Sequence, residues 1–88
     1  MNIKYKTITA NTLVDAGECY LMGVELAHTT TTSLVIYEGI STGGVKVATL
    51  RVTDKRMDTK RMFPFPGIKC SGIYVDWTAG IGTVYYHN

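Results

Sequence analysis

Along most of the chain, apolar and polar residues alternate with a period of two, and clusters of Gly, Thr and Asp cut that alternation into short segments. Ile3 to Thr9 sets Lys4 and Lys6 on one face and Ile3 and Tyr5 on the other. Leu13-Val14 adds a short strand before a turn at Asp15-Ala16-Gly17. The pattern predicts a longer strand over Glu18 to His28. Its core face is read as Tyr20, Met22, Val24 and Leu26, because that set carries no charge. A helix here is the weaker reading, since Gly23 interrupts it and no N-cap pattern precedes it. Thr29 to Thr32 reads as a polar loop. Ser33 to Glu38 and Val45 to Val52 form a predicted hairpin across the Gly-rich turn at Gly39 to Gly44.

The second half continues in the same cadence. Asp54 to Lys60 reads as a charged loop. Phe63-Pro64-Phe65-Pro66-Gly67 is excluded from a central strand because two prolines remove ladder donors, so it is expected at an edge or an apolar corner. Gly72 to Thr78 and Thr83 to His87 are predicted to pair as a second hairpin across Ala79 to Gly82. The total is about seven or eight strands with turn signals every 8–12 residues, which is the spacing of a β-sandwich, either jelly-roll or immunoglobulin-like. No linker divides the chain, so residues 1–88 are read as a single β-sandwich domain.

Composition supports an all-β fold. Thr, Val, Ile, Tyr, Phe and Trp supply 37 of the 88 residues, while Ala and Leu number five each, which disfavours a helical bundle. A chain of this mass exposes roughly 5,000 Å² when folded and buries about 64% of its extended surface, enough for one thin core. The net charge of +2 is too small to mark a dedicated nucleic-acid binder. No apolar run reaches the length of a transmembrane helix, and Met1 to Lys6 lacks a secretory h-region, so the chain is expected to stay where it is made.

Candidate chemistry is sparse. Cys19, His28, Cys70 and His87 are scattered singly, unlike the close ligand pairs of structural zinc, so no metal is expected. A Cys19–Cys70 disulfide requires the two strands to be neighbours; free, packed thiols are the preferred reading. No serine sits in a strand-turn-helix elbow, and a terminal histidine such as His87 is read as solvated or interfacial. Glu25, Glu38 and Asp76 lie in strands without room for a walled cleft between carboxylates, so no catalytic residue is assigned. Gly43-Gly44 and Gly80-Ile81-Gly82 are not followed by a helix pattern and read as turns, not phosphate loops.

Two features remain as a possible interface. Arg51 to Arg61 holds five cationic side chains against Asp54 and Asp58, a local +3. A solvated loop is the plainer reading, and docking on an acidic protein surface is the functional one. The six tyrosines include strand positions that alternation forces outward, among them one of Tyr85 and Tyr86 and one of Tyr37 and Tyr74. Trp77 alternates onto the apolar Ile73–Val75 face and is read as core. The candidate interface is Phe63 and Phe65 with Arg56, Lys60 and Arg61 at their polar rim, together with Tyr85. Whether the two Phe rings face a partner or cap the chain's own core is left even.

The segments Ser33-Leu34-Val35-Ile36-Tyr37-Glu38-Gly39, Gly44-Val45-Lys46-Val47-Ala48, Phe65 to Asp76 and Val84-Tyr85-Tyr86 together resemble small all-β accessory structural proteins of tailed bacteriophage virions. These include head decoration (cement) proteins and small neck, tail or baseplate components. The likeness runs from about Glu18 to His87 and rests on strand cadence with a few Gly and Tyr positions. It implies a β-sandwich made in the host cytoplasm and built into the virion. It also implies a homo-oligomer, with a trimer preferred, bound to other virion structural proteins on a capsid or tail lattice, without cofactor or catalysis. Head decoration is the favoured place. Membrane and nucleic acid are not expected partners. The alternative is a small β-sandwich binding module for carbohydrate or a host-surface ligand.

Overall fold

A computed structural model describes residues 2–27, 32–52 and 58–88. Among them run nine strands and no helix: β1 Lys4–Ile8, β2 Thr12–Asp15, β3 Cys19–Ala27, β4 Thr32–Glu38, β5 Val45–Val52, β6 Asp58–Met62, β7 Ile68–Cys70, β8 Ile73–Trp77 and β9 Ile81–His87. They form two antiparallel sheets. Sheet A has the order β1-β9-β3-β6, with β7 pairing the other end of β3, and sheet B has the order β2-β8-β4-β5.

The pairings β1–β9, β2–β8, β3 with β6 and β7, and β4–β5 are those of one long antiparallel hairpin with its tip at the β4–β5 turn. Rolling that hairpin brings β9 against β3 and β8 against β4, which closes two sheets. This is the jelly-roll order, with β6 and β7 as two pieces of one edge.

Each sheet turns one face inward. The core is built from Ile8, Leu21, Val24, Leu26 and Val84 of sheet A and Leu34, Ile36, Ala48, Leu50, Ile73 and Val75 of sheet B, with Cys19 and Cys70 at one end. The folded surface is 5088 Å², close to the value that length alone gives. Trp77 packs against this core as its alternation predicts, and its indole N–H donates to the Gly80 carbonyl at 2.9 Å.

Four local expectations are corrected. First, β8 and β9 do not pair with each other: β8 lies in sheet B and β9 in sheet A, so residues 78–80 cross between the layers. Both strands carry a core-facing set, Ile73 and Val75 on one and Val84 on the other, and each sheet takes one. Second, the charged stretch is not loop throughout, since Asp58–Met62 is strand β6 on the edge beside β3; residues 53–57 lie outside the described set. Third, β7 is a strand that the alternation alone did not mark. Fourth, the core face of β3 is not uniform. A bulge at Met22, between the partners Leu21↔Tyr86 and Gly23↔Tyr85, inverts the alternation. Before it, Cys19 and Leu21 face the core and Tyr20 faces out; after it, Val24 and Leu26 face in as expected.

Candidate functional site

The outer face of sheet A is assembled by register. Val84 points into the core, so its neighbours Tyr85 and Thr83 on β9 point away. Tyr85 stands opposite Tyr5 of β1 on one side and Gly23 of β3 on the other, and Gly23 stands opposite Met62 of β6. The result is one cross-strand row, Tyr5–Tyr85–Gly23–Met62. Gly23 leaves a hollow in that row that the Met62 side chain fills, because a Cβ on Gly23 would collide with the Met62 Sδ. Tyr5 is 71% exposed and Met62 51%. The Tyr85 hydroxyl donates to Glu25 Oε1 on the neighbouring strand at 3.4 Å, a long contact.

The next row is aromatic as well. His87 is the β9 partner of Tyr20, and their rings stack with centroids 4.9 Å apart and planes 12° from parallel. On His87 lies Phe65, at 6.4 Å and 14°. Phe65 belongs to the corner between β6 and β7. That corner leaves β6 at the β3 bulge, where the Phe63 N–H donates to the Met22 carbonyl at 2.9 Å. It closes with the Gly67 N–H on the Pro64 carbonyl at 2.7 Å, across a cis Phe65–Pro66 peptide.

The His87 Nε2 lies 2.9 Å from the Pro66 carbonyl oxygen. A carbonyl only accepts, so Nε2 carries the proton of this bond. His87 is therefore neither solvated nor free: it is 6% exposed, clamped between Tyr20 and the corner. The sequence offered no sign of this, since the contact depends on the β3–β9 register and on the corner folding back over β9.

The candidate interface residues divide. Phe63 is half-buried against the core, with the Arg61 guanidinium 6.0 Å above its ring centroid, within cation–π range. Phe65 is 70% exposed. Lys60 and Arg61 are exposed on the β6 edge beside Met62, and Tyr85 faces outward while Tyr86 packs on the core. Arg56 lies outside the described residues, as does His28. Tyr20, His87, Met62 and Tyr5 join the face although sequence reasoning did not place them there.

Charge is distributed unevenly between the layers. The strands of sheet A carry Lys4, Lys6, Lys60, Arg61 and Lys69 against Glu25 and Asp58, a net +3; those of sheet B carry Lys46 and Arg51 against Asp15, Glu38 and Asp76, a net −1. Register divides that charge between the faces: Lys4 and Lys6, opposite Tyr86 and Val84, and Arg61, opposite Val24, lie on the core side of sheet A, whereas Lys60, opposite Glu25, and Lys69, opposite Tyr20, share the aromatic face. Lys69, opposite Tyr20, is partnered at 3.9 Å by Glu18, an exposed and weak pair.

Cys19 and Cys70 are free and buried. Burial, with Asp15, Cys70 and Glu38 nearby, pushes the Cys19 thiol up to about 12. Burial and Glu38 push Cys70 up to about 11, against a lowering backbone contact from Leu21. Both stay protonated thiols at neutral pH and act there as small apolar groups. Among the described residues no three His, Cys, Asp or Glu side chains gather to hold a metal ion. No protein-family model matches the chain, and no curated protein or solved structure matches it.

Proposed function

We propose that this chain is a non-enzymatic accessory structural protein of a virion, one that docks on a capsid or tail lattice through the outer face of sheet A. The observation that carries the reading is the aromatic and methionine surface of Tyr5, Tyr20, Met62, Phe65 and Tyr85, held on a rigid sheet with Lys60 and Arg61 at its rim. Exposed apolar patches with a polar rim mark interaction sites, and Tyr, Phe, Met and Arg are the side chains that interfaces favour. Lys60 opposite Glu25 and Lys69 paired with Glu18 give this face a border of mixed charge, which suits a partner with polar groups of both signs around an apolar centre. The resemblance to phage accessory proteins supplies the lattice as that partner, and head decoration as the preferred place. Homo-oligomerisation, with a trimer preferred, belongs to the same reading.

The test is an inventory of purified virions by quantitative mass spectrometry, paired with add-back of the purified chain to particles lacking it. The expected result is saturable binding and a fixed copy number. A high copy number assigns it to the head lattice, and a low one set by axial symmetry assigns it to the neck or tail. Absence from the particle together with no add-back binding overturns the reading. Saturable binding to a glycan array instead would favour the carbohydrate-binding module.

A further inference from the structure

Cys19 and Cys70 are direct partners across the β3–β7 ladder, and both side chains point into the same core. Alternation explains the shared direction. Cys19 and Leu21 face inward before the Met22 bulge, and their partners Cys70 and Ile68 do the same on β7. Directly opposed residues on an antiparallel pair hold their Cβ atoms about 4.5–5.5 Å apart, and a disulfide asks for about 3.5–4.5 Å. The remaining gap is within reach of a small shift, and β7 is only three residues long. The Cys70 Sγ now points to the Ile68 carbonyl oxygen at 3.4 Å, so closing requires it to turn from that contact toward Cys19.

We propose that Cys19 and Cys70 form a redox pair that closes into an intramolecular disulfide and fastens β7 to the central strand β3. The inference is independent of the docking reading. The oxidant is a small-molecule disulfide such as oxidised glutathione. One cysteine thiolate attacks a sulfur of the oxidant, its S–S bond breaks, and one small thiolate leaves. The other cysteine thiolate attacks the protein-side sulfur of the mixed disulfide and expels the second small thiolate. Two protein thiols are oxidised, one small disulfide is reduced to two thiols, and the two cysteine protons end on the leaving groups. Both thiols are buried, so the exchange runs while β7 is open or while the chain folds, not on the closed sandwich.

The consequence is local. β7 follows directly on the Phe63–Gly67 corner, so the bond fixes the exit of the segment that carries Phe65.

The experiment refolds the full chain from denaturant in glutathione redox buffers of graded ratio, quenches by acid, and reads intact mass and thermal midpoint. The expected product has lost two hydrogen atoms, yields one cross-linked peptide pair containing Cys19 and Cys70, keeps the β spectrum, and melts above the reduced chain. Cys19→Ser and Cys70→Ser each give only a glutathione adduct on the remaining cysteine. Predominance of mixed adducts in the unsubstituted chain, or a closed form that melts below the reduced one, overturns the proposal.

Discussion

His87 shows how one side chain can organise a surface. Its ring is covered by Tyr20 and by Phe65, and its Nε2–H satisfies the Pro66 carbonyl. Replacing it by Ala removes the hydrogen bond and the stacking support together. His87→Ala is expected to cost about 1–3 kcal/mol in denaturant unfolding and to raise protease sensitivity near Phe65. An unchanged midpoint with an intact corner would show that the clamp contributes nothing.

The thiols make a second prediction at the same scale. Unfolded cysteines titrate near 9, whereas Cys70 and Cys19 titrate near 11 and 12 in the fold. Above pH 9 the unfolded chain therefore holds fewer protons than the native one, and stability falls as pH rises. That stability is fully present below pH 9 and is lost progressively toward pH 11 to 12. Unfolding of the reduced chain followed over this range should show the decline, and Cys19→Ala should flatten it.

At the scale of elements, the Phe63–Gly67 corner depends on one glycine. Gly67 has φ +93°, and a Cβ there would stand 2.5 Å from the Leu21 carbonyl oxygen. Backbone strain and contact with a fixed strand act together, so Gly67→Ala is expected to lose about 2 kcal/mol or more, seen as a lower urea midpoint at unchanged m. Equal stability would mean that the corner can re-form elsewhere.

These elements also show what alternation makes legible. Period two marks strands and their faces, which is why the β4–β5 hairpin and the core placement of Trp77 were readable. It does not say which sheet a strand joins, so β8 and β9 looked like a hairpin. It cannot register a bulge inside an apolar run, so the inversion at Met22 exchanged Tyr20 for Cys19 and Leu21. It hides an edge strand whose side chains are largely charged, as in β6. The aromatic face was half visible for the same reason: Phe65 and Tyr85 follow from local pattern, whereas Tyr5, Tyr20, Met62 and His87 are brought to it by long-range register.

At the scale of the whole molecule, the four sheet edges and two outer faces decide how such a sandwich can assemble. β1 has an open edge, but Lys4 and Lys6 stand on it, and lysines on an edge oppose strand-to-strand addition. Continuation of sheet A at β1 is therefore disfavoured. On the outer face of sheet A, Lys60 stands opposite Glu25 and Lys69 is paired with Glu18, so charge does not oppose a two-fold contact of this face with itself.

Phe63 and Phe65 separate folding from assembly. Phe63 packs on the core, so Phe63→Ser should destabilise the monomer by about 2 kcal/mol or more. Phe65 is mostly exposed, so Phe65→Ser should leave the unfolding midpoint within about 1 kcal/mol while weakening oligomer or lattice binding. Equilibrium unfolding and sedimentation velocity on both variants read the two effects apart. A Phe65→Ser chain that binds and assembles like the parent would remove the corner from the interface. A parent chain that stays monomeric at high concentration and ignores particles lacking it would remove the structural role altogether.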